Sequence, residues 1–209
     1  MYQWLLSKIY DSIMKDAEDK GLREWRRILL KNISGDVLEL GCGTGANLEF
    51  YPSTVKRLTL VEPNLYMLQK IKAKIPNYKL RDIQILNDKV EDLSLEDASF
   101  DVVVCTLVLC SVSNLEKTLS EIHRILRSQG KLIFIEHVAA VNNPKRYRWQ
   151  RRLEFLWKLI AAGCHTTRCT EEAIVRAGFK MMELSHQSMR GVPPIVRPSI
   201  RGIAVKTSI

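Results

Sequence analysis

Val37-Leu-Glu-Leu-Gly-Cys-Gly-Thr-Gly45 is the stretch on which the fold turns. Asp36 to Leu40 alternates in polarity and runs directly into glycines, which reads as a strand delivered to a tight turn. Glycines at such a point let the backbone bend sharply and approach a ligand closely. A helix after the turn would present unpaired N–H groups to that ligand. Glu62 stands 21 positions after Gly41, at the end of the next apolar run. A carboxylate there accepts hydrogen bonds from both ribose hydroxyls of a bound nucleoside.

Working outward, the chain alternates strands with helices. Lys56 to Val61 reads as a strand, and Asn64 to about Ile75 as a helix with Asn64 at its N-cap and Pro76 as its stop. Leu80 to Leu86 reads as a third strand. Phe100 to Leu107 is a continuous apolar run with β-branched residues, the mark of a strand buried on both faces. Asn114 caps a helix with Leu115, Leu119, Ile122, Ile125 and Leu126 on one face; Gly130 is expected to end it, and Lys131 to Ile135 forms the fifth strand. That rhythm predicts an α/β fold, a mostly parallel sheet with helices on both faces.

The two ends depart from it. Met1 to Ile33 reads as one or two amphipathic helices, an N-terminal lid, with Trp4, Leu5, Ile9, Ile13 and Ala17 and then Leu22, Trp25, Leu29 and Leu30 at helical spacing. Pro144 to Ala162 and Thr170 to Ala177 are two further helices, within a substrate-side insertion over residues 141–178. Phe179 to His186 and Ile200 to Lys206 close the chain as strands with no helix between them, which suggests an antiparallel pair at the sheet edge. No repeat or linker divides the 209 residues, so one domain is expected.

Two cofactor chemistries compete for the turn. Gly41, Gly43 and Ala46 satisfy G-x-G-x-x-A, a dinucleotide pattern that is weak alone. Against it, Glu39 lies just before the turn, where it suits the amino group of a methionine moiety and repels a pyrophosphate. The third glycine follows the second by two residues, and the terminal strand pair does not look like the second half of a dinucleotide-binding fold. A glycine turn with no ligand is the remaining reading.

Val37 to Gly45, then Val61-Glu-Pro-Asn64, then Ser99-Phe-Asp-Val-Val-Val104, resembles the motif series of class I S-adenosylmethionine-dependent methyltransferases, strongly over residues 34–137. The resemblance implies a Rossmann-like, seven-stranded sheet whose last strand is antiparallel, with S-adenosylmethionine across the carboxyl ends of strands one, two and four. It implies that Glu39, Gly41 and Gly43 border the methionine end and that Glu62 holds the ribose. Pro63 and Met67 would lie near the adenine, Val90 and Glu91 at its edge, and Thr106 and Leu107 beneath the sulfonium. Lys89 departs from the aspartate or glycine of many relatives, which leaves the partner of the adenine amino group open. Asn47 to Pro52, Cys105 to Val112, Phe134 to Ala140, Gly163 to Arg168 and Val196 to Gly202 are similar to the thiol S-methyltransferases of the methyltransferase-like seven group and their microbial relatives. Animal members of that group begin with a hydrophobic anchor that this sequence lacks. A small-molecule methyl acceptor, a thiol among them, is thus expected. Methylation of a quinone or lipid, or a cofactor-binding regulatory or RNA-associated role without turnover, are the alternatives.

His137 follows the fifth strand and is the candidate base for a thiol; a structural histidine is the bland alternative. No metal is expected, because Cys164 with Cys169 and Cys105 with Cys110 lack the paired C-x-x-C spacing of a zinc site. Cysteines that hold an arsenic substrate are a related option, and small packing residues another. Five cysteines, an odd number, suit reduced thiols in the cytoplasm. There is no run of about 18 apolar residues to span a membrane and no signal-peptide pattern at the start. The excess of 32 basic over 23 acidic residues, +9, permits attraction to nucleic acid or an anionic membrane and identifies neither. Lys145-Arg-Tyr-Arg-Trp-Gln-Arg-Arg152 with Phe155 and Trp157 concentrates that charge. A lid over the substrate is the first reading of it, peripheral contact with anionic membrane the second, and nucleic acid the least favoured.

Overall fold

The computed structural model describes residues 2–78, 80, 82–90 and 93–207. Two helices, α1 (Tyr2–Ala17) and α2 (Arg23–Leu30), open the chain; Gly21 breaks the helical path between them at φ 135°. The strands are β1 (Gly35–Leu40), β2 (Val55–Val61), β3 (Ile83–Leu86), β4 (Phe100–Thr106), β5 (Leu126–His137), β6 (Phe179–Ser188) and β7 (Pro198–Lys206). Between them lie α3 (Leu65–Lys74), α4 (Leu115–Ile125), α5 (Pro144–Ile160) and α6 (Thr170–Arg176).

All seven strands form one sheet in the order β3-β2-β1-β4-β5-β7-β6. β1 to β5 pair in parallel, and β7 runs antiparallel between β5 and β6. This is the Rossmann-like sheet that the motif order implies, with β6 at the edge. Strand alternation separates two apolar layers. Leu38, Leu40, Val103 and Phe134 pack with Leu119 and Ile122 of α4. Val37, Val102, Val104, Ile133 and Ile135 face the other way, toward Leu29 and Leu30 of α2 and Leu68 and Ile71 of α3.

Three expected boundaries need correction. No α-helix follows the glycine turn; residues 43–47 are turns, and Leu48–Phe50 makes a single 3₁₀ turn. β3 begins at Ile83, later than Leu80. α3, by contrast, ends as expected, at Lys74 with Ile75 as its C-cap, and Pro76 lies in the 3₁₀ turn that follows, Ile75–Asn77, where its missing N–H costs nothing. α4 ends at Ile125 and not at Gly130, because Leu126 is already extended (φ −72°, ψ 137°) and pairs with Phe100. The ladder resumes at Lys131 opposite Val102, so residues 127–130 bulge out. Gly130 serves that bulge, since a Cβ there would lie 2.8 Å from the Arg127 carbonyl oxygen.

Candidate functional site

The three glycines after β1 do three different jobs. Gly41 (φ 60°) passes under Val108, where an added Cβ would meet Val108 Cγ2 at 2.5 Å. Gly45 (φ 83°) packs against Leu48 and Ile71, with a Cβ placed 2.8 and 2.9 Å from them. Only Gly43 (φ 56°) faces open space, its nearest neighbour being Met67 Sδ at 4.0 Å. Gly43 is therefore the one of the three with room beside its backbone, and its two flanking glycines shape the turn around it.

Glu62 closes the other side of that space. It is 6% exposed, and its carboxylate accepts from the Gly43 N–H (2.9 Å) and the Asn64 N–H (2.9 Å), so it ties the turn after β1 to the turn after β2. Burial pushes its pKa up, and the two N–H donors pull it back. Asn64 caps α3 by accepting from Tyr66 and Met67 N–H, as its position predicts. Gly43, Glu62 and buried Met67 thus meet at one place, and Asn87 Nδ2 donates to the Glu62 and Pro63 carbonyls beside them. Val90 is buried, in the core cluster that also holds Leu38 and Leu40. Glu91 lies outside the described residues.

Glu39 and Thr106 belong to a buried polar network below the turn. Asn47 Nδ2 donates to Glu39 Oε1 (2.9 Å) and Thr106 Oγ1 (3.1 Å), and the Tyr51 hydroxyl donates to Glu39 Oε2 (2.7 Å). Arg26, 4% exposed, supplies the cation: Nη1 donates to Asn47 Oδ1 (2.8 Å) and Thr106 Oγ1 (2.9 Å), and Nε to Glu18 (3.1 Å). Desolvation outweighs these hydrogen bonds at Glu39 and raises its pKa to about 7. Helix α1 roofs the turn. Asp11 accepts from the Thr44 hydroxyl and pairs with Lys70, and the Tyr10 phenol is buried within electrostatic reach of Arg26, Glu18, Cys110 and Glu62. Burial lifts that phenol to about 12, so it stays a neutral hydrogen-bonding group.

The loop after β4 forms the facing wall. Leu107 takes φ 61°, a strained value for a residue with a side chain, and its N–H bonds to the Ile135 carbonyl at 2.7 Å. Glu136, fully buried, then accepts the backbone N–H groups of Val108, Leu109 and Cys110 at 2.9–3.0 Å. Arg168 completes the clamp with its guanidinium on the Leu109 and Val112 carbonyls. The Cys110 thiol pairs with the Cys164 sulfur, which holds Cys110 protonated and pulls Cys164 down.

His137 ends β5, 8% exposed, with its imidazole hydrogen-bonded to the Val196 backbone and Nδ1 buried without a partner among the described residues. Burial depresses its pKa to about 4, so the ring is neutral across the physiological range. The five cysteines are free thiols, and among the described residues no three His, Cys, Asp or Glu side chains cluster as metal ligands. Sequence reasoning missed Tyr10, Arg26, Asn47, Tyr51, Glu136 and Arg168. Arg26 sits in the charged pair Arg26-Arg27, which reads as surface, and Glu136 was overshadowed by the histidine beside it.

The methyltransferase domain family model matches residues 38–134, from β1 to β5. The chain is 42% identical over 172 residues to human thiol S-methyltransferase TMT1A, covering 81% of this chain and 70% of the relative. It is 40% identical over 214 residues to rat thiol S-methyltransferase TMT1B, covering 98% of this chain and 86% of that protein. Among solved structures, a chain of the complex between the Haloferax volcanii Trm112 methyltransferase activator and its methyltransferase superposes with a TM-score of 0.72 at 17% identity. That match covers 99% of this chain and 98% of the other, and it speaks for the fold alone. With the turn, the acidic strand end and the antiparallel β7 in place, the chain belongs to the methyltransferase family that includes the thiol S-methyltransferases TMT1A and TMT1B.

Proposed function

We propose that this protein moves a methyl group from S-adenosylmethionine to the sulfur of a small-molecule thiol. The observation that carries the thiol reading is the likeness to the TMT1 proteins, which runs through α5 and α6 on the acceptor side and not only through the cofactor motifs. When bound, the sulfonium cofactor supplies an electrophilic methyl carbon, open to in-line attack. The residues fit it: Gly43 leaves room for a nucleoside, Glu62 receives ribose hydroxyls, and Met67 offers an apolar face. Arg26 answers the carboxylate of the amino-acid end, and Glu39 answers its ammonium group. Tyr10 and α1 exclude water above, and the clamp of Glu136 and Arg168 fixes the acceptor wall.

This arrangement makes cofactor affinity depend on pH. Glu39 is half-protonated near pH 7, and an ammonium ion beside it favours its charged form. Affinity should therefore rise as pH increases through 7, by up to about tenfold per unit below it. Calorimetry at several pH values should show this slope, with protons released on binding, and Glu39→Gln should flatten it. The same titration with NAD in place of S-adenosylmethionine should show no binding.

Thiols ionise near about 8.5, so a few per cent is thiolate at neutral pH without help. Passing the proton to His137 is uphill by the gap between about 8.5 and about 4, on the order of 6 kcal/mol. His137 is accordingly a positioning residue at the end of β5, and the thiolate forms in solvent. His137→Gln should lower kcat/KM by up to about tenfold without moving the pH–rate profile or the cofactor affinity. Loss of the acidic limb of that profile would restore His137 as a base, and unchanged turnover would remove it from the mechanism.

A further inference from the structure

We infer that α1 and α5 together form a face that docks on an anionic lipid surface. Among the described residues fifteen large apolar side chains are exposed, and nine of them lie on these two helices: Trp4, Leu5, Ile9 and Ile13 on α1, and Trp149, Phe155, Leu156, Leu159 and Ile160 on α5. The two helices flank the same point of the fold. Tyr10 of α1 lies within electrostatic reach of Cys110, and the turn that ends α5 reaches the same loop, where the His165 N–H donates to the Cys110 carbonyl at 2.7 Å. Both therefore stand over the carboxyl ends of β4 and β5. Packing into the core does not account for these residues, since Phe155 is 73% exposed and Ile160 65%.

Charge selects the occupant. On α5 the exposed positions 145, 148, 149, 151, 152, 155, 156, 159 and 160 form one stripe at helical spacing. Its first turns carry Lys145, Arg148, Arg151 and Arg152, and its last turns carry only apolar residues. Glu154, the one acid of this helix, is half-buried and engaged by Thr167 and His165. On α1, Lys8 and Lys15 are exposed among the apolar residues, whereas Asp11 holds Thr44 and Lys70 and Asp16 pairs with Lys20. Arg152 lies over the Trp149 ring and Lys8 over Trp4, each 5.8 Å from the centroid, the pairing of cation and amphipathic ring found at lipid headgroups. A second copy of the chain would set this cationic stripe against itself. A nucleic acid would gain nothing from Leu156, Leu159 and Ile160, which neither stack nor hydrogen-bond. Among the described residues no helix is long and apolar enough to cross a membrane, so the contact is with the surface. Cations sit at headgroup level while the last turns of α5 reach the acyl boundary.

The test is co-sedimentation of the full chain with vesicles of phosphatidylcholine alone or mixed with phosphatidylserine, together with quenching of tryptophan fluorescence by brominated acyl chains. Binding should require phosphatidylserine, fade with salt and bring quenching. Arg148→Glu with Arg152→Glu should weaken it by about tenfold or more, and so should Phe155→Ser with Leu159→Ser. Unchanged melting temperatures would show that both variants fold; if either melts lower, single substitutions at the same positions, half as disruptive, are measured in its place. No vesicle binding at low salt overturns the inference. So does binding that ignores Phe155 and Leu159, which would be adsorption of a +9 protein by charge alone. A concentration-dependent dimer or RNA complex abolished by these variants, without vesicle binding, overturns it in favour of that partner.

Discussion

Glu62→Gln should weaken S-adenosylmethionine binding by about two orders of magnitude. The carboxylate has two tasks, and the amide fails at both. Its oxygens accept the Gly43 and Asn64 N–H groups, and their remaining lone pairs are the receptors for ribose hydroxyls. Hydrogen bonds to a charged acceptor contribute about 1.5–3 kcal/mol each, and an amide replaces one acceptor oxygen by a donor facing another N–H. Two weakened ribose contacts alone predict a loss of roughly a hundredfold. The turn would also loosen, with stability lower by about 1–3 kcal/mol. Calorimetry gives the first quantity and denaturant unfolding the second. Affinity within a factor of three of the parent would detach Glu62 from the cofactor.

Arg26→Met should be the most destabilising single substitution in the network. Arg26 is buried, and three partners depend on it: Glu18, Asn47 and Thr106. Removing one member of a buried pair costs about 3–5 kcal/mol when the partner charge is stranded. Glu18 retains 22% side-chain exposure and can be rehydrated, so about 2–3 kcal/mol is expected here. Arg26 also holds down the pKa of Glu39, so its loss should move that titration above about 7. Arg26→Lys keeps the charge and loses the fork, and should recover part of the stability but not the paired contacts to Asn47 and Thr106. Urea melts of the three proteins, with cofactor affinity against pH, separate these effects. A variant as stable as the parent would show that the network carries little of the fold.

The parallel body of the sheet and its antiparallel close were legible because they rest on local signals. An alternating run that ends in glycines, an acid at the end of the next strand and an unbroken apolar run at Phe100 are each readable within a few residues. Boundaries failed where tertiary contacts overrode local preference. Gly130 looks like a helix stop but belongs to a bulge, because Leu126 gains more by pairing with Phe100 than by extending α4. The missing helix after Gly45 is a related case: Asn47 and Tyr51 turn inward to satisfy Glu39, and the chain keeps only one 3₁₀ turn there.

The glycine turn was read as one cradle, and the structure divides it into one open position and two packed ones. That division depends on Val108 and Ile71, which are distant in sequence. Arg26 and Glu136 were illegible for the same reason. Nothing in the neighbourhood of a charged residue says whether it points to solvent or to a network 80 residues away, as Arg26 does to Thr106. The apolar stripe of α1 was visible as the signal of an amphipathic lid helix, but periodicity does not say what covers such a stripe, and the structure leaves Trp4, Leu5, Ile9 and Ile13 in the open.

Transfer of a labelled methyl group from S-adenosylmethionine to a panel of alkyl thiols, quinones and phosphatidylethanolamine tests the central claim most directly. The expected result is label on sulfur alone, with a rate that climbs with pH toward the pKa of each thiol. Label on a quinone carbon or a lipid amine, with every thiol untouched, would contradict it.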